Sequence, residues 1–255
     1  MVMRISRLCF ILAAFAVSAS CLPVSTDVGT APSAIDELKT RIEEATRCFQ
    51  DLTMVGAATY KDKKALSKVD PAFARLYDFK TATISFKMPD KLRMESKLGM
   101  VKVEYIINGG KKIFRVPTLK MNKVGDYSDE PAKLQDALDV GLVTCDMWRN
   151  RLVEIVDDAE ATINGEIKLR LRWARGNTVF YAWIDAKDLW LKRFEKHDGQ
   201  SKLLLRIVYS DPQKAGDVIW MPRKAEMYAP DGEKAGESEY RDIKVNTGLA
   251  DSLFE

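Results

Sequence analysis

The sequence contains a single histidine, His197, among its 255 residues. A histidine-rich zinc or iron site cannot be built from one imidazole, and a Ser-His-Asp triad would have to use His197. That residue lies beside Asp198 and Gly199 in a polar turn, which does not suggest a shielded pocket. The usual catalytic signatures are also missing, including GxSxG, HExxH, the Walker loop, GxGxxG and CxxC. We therefore expect no catalytic residues, no metal site and no cofactor.

An excess of one charge sign is also missing. The chain has 40 Lys and Arg residues against 37 Asp and Glu residues, a formal net charge of +3. This balance gives no broad positive field, so nucleic acid is not expected as a partner. Hydrophobic residues make up 46% and charged residues 30% of the chain, which is typical of a soluble globular protein.

Long apolar runs are missing except near the start of the chain. Residues 8–17 are apolar, follow Arg4 and Arg7, and precede small residues at positions 18–20. This run is too short for a bilayer core of about 30 Å, which a helix spans with about 20 residues. The pattern predicts a secretory signal peptide over residues 1–20 and therefore an exported protein.

Two cleavage sites compete at the end of this segment. Cleavage after Ala19 suits ordinary signal peptidase, whereas cleavage before Cys21 suits the bacterial lipoprotein pathway, which acylates that cysteine. Ser18 stands where a lipobox usually has leucine. Residues 21–33 are rich in Pro, Gly, Ser and Thr without periodicity, as expected of a flexible tether. We favour the interpretation in which Cys21 is lipidated and tethers the protein to a membrane.

The remaining cysteines fit that interpretation. Cys9 leaves with the signal peptide, and lipidation of Cys21 leaves Cys48 and Cys145 as an even pair. In an oxidising compartment a disulfide between them is the default. The alternative is that both are small buried apolar side chains.

Two segments have apolar residues spaced three and four apart, which predicts one apolar helix face in each. The first is residues 33–49, with Ser33 as a candidate N-cap. The second is residues 131–148, which begins with Pro131 in a favourable first-turn position. The apolar faces of the two helices include Leu38, Ile42, Leu134, Leu138 and Leu142.

Most of the remaining chain alternates with period two between local turn signals. In residues 166–173, for example, Leu169, Leu171 and Trp173 alternate with charged side chains. This pattern predicts one large antiparallel sheet of about eleven strands, in one domain over residues 34–255. Two helices with narrow apolar faces cannot cover so large a sheet. The sheet must therefore wrap around them or keep an apolar concavity.

The order of several motifs resembles that of a known family. Segments 86–95 (FKMPDKLRME) and 105–111 (YIINGGK) are similar to the F-x-x-P-x-x-x-R-x-E … (N/D)-G-x-x signature of the outer-membrane lipoprotein-sorting proteins, the LolA/LolB-like superfamily. Looser matches follow in the same order at residues 139–142, 183–185, 191–195, 209–211, 220–222 and 240–254.

The resemblance implies a mainly β fold, a strongly curved and incompletely closed antiparallel β-barrel of about eleven strands. It further implies that the two helices lid an apolar cavity that holds acyl chains of lipoproteins or other lipids in the periplasm. A lipid anchor at Cys21 would resemble the family's membrane-tethered members, which places the protein at the outer membrane. The residues expected to line the cavity are Phe86, Met94, Val103, Tyr105, Leu171, Trp173, Tyr181 and Trp183.

One departure limits what can be transferred from the family. The freely diffusing carrier of the best-known branch has an arginine before the motif proline. Met88 occupies that position here, so the gating role of that arginine does not transfer.

Two further hypotheses come from other classes of protein. The first is an envelope sensor or assembly module of the same fold, which binds a protein partner. The second is an enzyme that uses acidic residues such as Asp157 and Asp185. A co-purifying partner protein would favour the first, and a carboxylate pair in a polar cleft would favour the second.

Overall fold

The structure, a computed structural model, describes residues 33–70 and 77–255. The predicted signal peptide and all of the predicted tether except Ser33 lie outside the described residues. The described strands are β1 Asp51–Lys61, β2 Thr81–Lys87, β3 Lys91–Leu98, β4 Val101–Asn108, β5 Lys111–Val116, β6 Met121–Asp126, β7 Arg151–Ile155, β8 Glu166–Trp173, β9 Val179–Asp185, β10 Leu191–His197, β11 Leu203–Ala215, β12 Ile219–Tyr228 and β13 Lys234–Val245.

All of these strands belong to one antiparallel sheet, made of two meanders. Its order is β6-β5-β4-β3-β2-β1-β13-β12-β11-β10-β9-β8-β7, so β1 and β13 join the meanders in the middle. β6 and β7 are the two edges, and the sheet as described is not closed. The prediction of an open antiparallel sheet is confirmed, but the described chain has thirteen strands and not eleven. The alternation pattern does not predict β6, because its residues are mostly polar.

The sheet is strongly curved. Phe86 on β2 and Trp173 on β8 line the same cavity, although seven strand positions separate β2 from β8 in the sheet order. At about 4.8 Å per strand, a flat sheet would hold these strands more than about 30 Å apart. The inner, concave face therefore carries the core. Its fully buried side chains include Leu52, Met54, Leu169, Leu171, Ile184 and Met221.

The first predicted helix is confirmed as α1, Ala34–Thr46. The Ser33 hydroxyl accepts a hydrogen bond from the backbone N–H of Asp36, and Asp36 and Glu37 lie in the first turn, where the helix dipole favours acidic side chains. Leu38 and Ile42 are buried in the core of the inner face, and Phe49 joins them just after the helix.

Two further helices were not predicted. α2, Lys63–Val69, is capped by Asp62, whose carboxylate accepts from the backbone N–H groups of Lys64 and Ala65. α3, Ala159–Ile163, is a single turn capped by Asp158. No described helix has both the length and the apolar content that a membrane span requires.

The prediction of a helix over residues 131–148 is wrong. Three short 3-10 helices, Pro131–Lys133, Leu138–Val140 and Cys145–Trp148, are separated by extended and left-handed residues. The carboxylates of Asp136 and Asp139 accept hydrogen bonds from the backbone N–H groups of Leu138 and Asp136. These local hydrogen bonds compete with a helical ladder.

The apolar residues of this segment are nevertheless buried. Leu138 and Leu142 belong to the core, and Leu134 packs against it partly buried. Leu134, Leu138 and Leu142 are spaced four residues apart and pack in or against the core, although they do not form a helix. The lid predicted from this segment is instead an irregular loop.

Both predicted disulfide partners carry free thiols, so the predicted bridge is not formed in this structure. Cys48 follows α1 and is exposed, whereas Cys145 is half-buried at the start of the last of these 3-10 helices. Cys145 contacts the side chain of Thr46 at the end of α1.

Residues 246–255, which we call the clasp, lie on the outer face of the first meander. Phe254 is fully buried against Ile106 and Ile113. Arg93 donates to the Leu253 carbonyl at 3.0 Å. Asp51 on β1 accepts from the backbone N–H groups of residues 247–249 at 2.7 to 3.2 Å. The clasp thus ties the end of β13 across β2 to β5.

Candidate functional site

Two cavities with mainly apolar walls lie on the inner face of the sheet. The first has a volume of about 260 Å³, and its walls include Phe86, Leu92 and Ile107 from β2, β3 and β4. The second has a volume of about 170 Å³, and its walls include Met94 from β3 and Met227 from β12. Concave apolar sites with a few polar groups are typical of small-molecule binding sites.

Residues 134–147, which we call the plug, contribute walls to both cavities. Leu138 and Leu142 line the first cavity, whereas Asp139 and Val140 line the second. Gly141 has a φ of 84°, and a Cβ there would lie 2.6 Å from Cγ of Pro222. The plug therefore fits closely against β12 at this glycine.

Few polar contacts hold the plug to the sheet. The buried Tyr209 hydroxyl donates to the Leu138 carbonyl at 2.8 Å. Asp136 forms an ion pair with Arg151 on β7, and Gln135 is hydrogen-bonded to the Tyr105 hydroxyl on β4. The plug is thus attached to both meanders.

Asp139 is an acidic side chain in the apolar wall of the second cavity. Its carboxylate accepts a hydrogen bond from the Asp136 backbone N–H at 2.9 Å. Burial, followed by the neighbouring Asp136 carboxylate, raises the pKa of Asp139 to about 7, while Lys196 and Arg151 act in the opposite direction. One sequence signal could have identified this residue: an acidic side chain stands between apolar Leu138 and Val140.

The structure places six of the eight predicted lining residues on the inner face. Phe86 and Trp173 line the first cavity. Met94, Val103 and Tyr105 line the second. Leu171 is fully buried in the core between the strands and lines neither cavity.

Tyr181 and Trp183 lie on the outer face, which corrects their predicted position. Their neighbours Phe180 and Ala182 point into the core, and side chains alternate between faces along a strand. The Tyr181 ring meets His197 edge-on at 5.2 Å between ring centres. The guanidinium carbon of Arg193 lies 3.6 Å from the Trp183 ring centre.

The residues considered for an enzyme have local partners. Asp185 accepts from the backbone N–H groups of Lys187 and Asp188, which closes a turn. Asp157 is exposed at a strand end. His197 lies 2.9 Å from Glu195 on the outer face and lines neither cavity. Residues 33–70 and 77–255 include no group of three His, Cys, Asp or Glu side chains that could hold a metal ion.

The first cavity also has polar lining residues that the sequence pattern does not predict. Arg151 on β7 pairs in register with Trp173 on β8, and its guanidinium carbon lies 4.1 Å from the indole ring centre. Thr144 and Asp146 face the same cavity from the plug. β7 is a short edge strand and the plug is an irregular loop. Neither has a sequence pattern that would predict contacts between their charged side chains.

Comparisons with solved structures show the fold. A domain assigned to outer membrane lipoprotein sorting from Vibrio parahaemolyticus matches with a TM-score of 0.56 at 12% identity, over 86% of this chain and 95% of that one. A LolA superfamily protein from Nitrosomonas europaea matches with a TM-score of 0.54 at 12% identity, over 85% of this chain and 97% of that one. The chain therefore has the open-sheet fold of these proteins, as the motifs predicted.

Sequence comparisons add nothing to this result. No protein-family profile matches the chain, and no curated protein matches it.

Proposed function

We propose that this protein is a non-enzymatic carrier that holds acyl chains of lipoproteins or other lipids in its inner-face cavities. The observation that carries the proposal is the pair of apolar cavities separated by the plug. Each methylene buried in such a site contributes about 0.8 kcal/mol, so a chain of moderate length is sufficient for binding.

The composition of the walls supports a deformable binding site. Met147 lines the first cavity, and Met94 and Met227 line the second. Methionine is flexible and fills irregular apolar space, which suits chains of different length. The plug lies between the cavities, so its displacement would join them into one longer groove.

A cleaved leader over residues 1–20, as the sequence predicts, would bring this activity to the periplasm. A lipid anchor at Cys21, followed by the tether over residues 21–33, would hold the carrier at the outer membrane. The fold shared with a domain assigned to outer membrane lipoprotein sorting supports the same location.

A fluorescent acyl probe tests the proposal with two neighbouring substitutions. Ala82 lines the second cavity, whereas Thr83 is exposed on the opposite face of β2. We expect A82F to weaken probe binding about tenfold, because displacing two methylenes costs about 1.6 kcal/mol. T83F is the matched control and should bind as the unaltered protein does. Absence of probe binding by delipidated, folded protein would refute the proposal.

One observation favours the second candidate, a module that binds a protein partner. β6 is an edge strand, and the large apolar side chains at and beside it, Leu119 and Val124, are 64% and 60% exposed. An edge of this kind can pair with a strand of another protein. A partner captured by the wild type and lost in V124K, with no binding of acyl probes, would favour this function over the carrier.

A further inference from the structure

Several residues that line the first cavity have unmatched hydrogen-bonding groups. Four of its lining residues each bury a polar side-chain atom that has no hydrogen-bond partner within the described chain. These atoms are Thr144 Oγ1, Asp146 Oδ2, Arg151 Nε and Trp173 Nε1. Buried polar atoms are nearly always paired in folded proteins, because leaving them unpaired is costly. Four unpaired polar atoms on residues that line one cavity indicate that a bound ligand supplies their hydrogen-bond partners.

Two of these atoms can only donate. Arg151 and Trp173 are register partners, and the guanidinium carbon lies over the indole ring. The Nη2 atom of Arg151 is engaged by Asp136, which leaves Nε without a partner. The Arg151 side chain is only 7% exposed, so bulk water does not replace the missing acceptor. A ligand here must present an acceptor such as a carbonyl oxygen.

The other two atoms come from the plug and require more than an acceptor. Thr144 is 1% exposed, and its hydroxyl can donate or accept. An ionised Asp146 carboxylate can only accept. Arg149 lies 3.9 Å from the other oxygen, Oδ1, and leaves Oδ2 unmatched. A ligand here must present an N–H or O–H donor.

We infer that the first cavity selects acyl chains that are linked to their head group through an amide. The carbonyl oxygen accepts from Arg151 Nε and Trp173 Nε1, and the amide N–H donates to Asp146 Oδ2 and Thr144 Oγ1. The chain then lies against the apolar wall formed by Phe86, Leu92, Ile107, Leu138, Leu142 and Met147.

This inference rests on the proposed carrier function and narrows its ligand class. An ester offers the carbonyl but leaves Asp146 without a donor. A free fatty acid brings a third carboxylate beside Asp136 and Asp146, where like charges repel. An amide is the simplest linkage that satisfies both sets of atoms.

Three probes with the same twelve-carbon acyl chain test the selectivity. N-methyldodecanamide, methyl dodecanoate and dodecanoate compete against a fluorescent acyl probe bound to the full chain. We expect the amide to compete at roughly tenfold lower concentration than the isosteric ester, since one hydrogen bond to a charged group separates them.

Substitutions then assign the preference to the lining residues with unmatched groups. W173F removes the indole N–H and keeps an aromatic ring, and T144V removes the hydroxyl at nearly constant volume. We expect each to weaken amide binding roughly fivefold, the effect of one neutral hydrogen bond. S238A, which removes a hydroxyl from the second cavity, is the matched control and should change nothing. Circular dichroism verifies folding, and T144V alone carries the test if W173F does not fold.

The outcomes separate this inference from the carrier function. If the amide and the ester compete equally, or if the preference survives both W173F and T144V, the amide selectivity is overturned and acyl binding stands. If none of the probes binds, both the carrier function and the selectivity are overturned.

Discussion

Asp139 brings a carboxyl group to the wall of the second cavity, where it has little hydration. Burial and the nearby Asp136 raise its pKa to about 7, above the value of about 3.9 for an unfolded chain. The native state therefore binds an extra proton between about pH 4 and pH 7, and the free energy of unfolding falls as the pH rises through that window. The charged groups near Asp139 are Asp136, Arg151, Lys196 and Lys112.

The substitution D139N removes this titration. Relative to the unaltered protein, we expect D139N to gain stability between pH 5 and pH 8 by about 1 kcal/mol or more, since one pKa unit corresponds to 1.36 kcal/mol. Urea unfolding at both pH values measures the difference. D129N, at an exposed position, is the control and should show no such change. An equal effect of D139N at pH 5 and pH 8 would show that its carboxyl group titrates normally.

The inner-face residues show which features of the site a sequence can predict. On β8, charged side chains alternate with Leu171 and Trp173, so the pattern identifies the inner face correctly. On β9, residues 179–184 are apolar at every position. Without alternation, the pattern does not indicate which side chains point to the inner face. Tyr181 and Trp183 were therefore placed on the wrong face. Only the register with neighbouring strands settles such a case.

At the scale of elements, capping and burial were predictable but loop conformation was not. The apolar spacing and the Ser33 cap both indicate a helix at the position of α1, and that helix formed as predicted. Residues 131–148 have helical spacing too, but side-chain hydrogen bonds from Asp136 and Asp139 and the left-handed Gly141 break the helix. The pairing of Arg151 with plug residues depends on this loop, so the sequence could not indicate it.

The clasp is an element whose contribution can be measured. Phe254 is fully buried against Ile106 and Ile113 of the first meander, and Leu249 and Leu253 of the clasp pack against this cluster. We expect F254A to lower the free energy of unfolding by about 3 kcal/mol or more, the usual cost of emptying a buried phenylalanine site. S252A, at an exposed position of the clasp, should change stability by less than about 0.5 kcal/mol. If urea unfolding gave the same midpoint for both variants, the clasp would not stabilise the sheet.

At the scale of the molecule, two meanders joined at β1 and β13 curve around one apolar interior. The edge strands β6 and β7 are not paired with each other in the described chain, so closure is incomplete. The plug connects these two edge strands along the chain and packs on the inner face. The long connection therefore fills interior space beside α1, and its residues line both cavities.

The central claim is that the inner face holds an acyl chain. Photocrosslinking with a hexadecanoyl probe that carries a diazirine in the chain, mapped to single residues by mass spectrometry, tests it most directly. We predict adducts on inner-face residues such as Met94, Tyr105 and Met227, and their loss when unlabelled acyl chain competes. Adducts confined to outer-face residues such as Tyr181 and Trp183, or adducts that competitor does not reduce, would contradict the account.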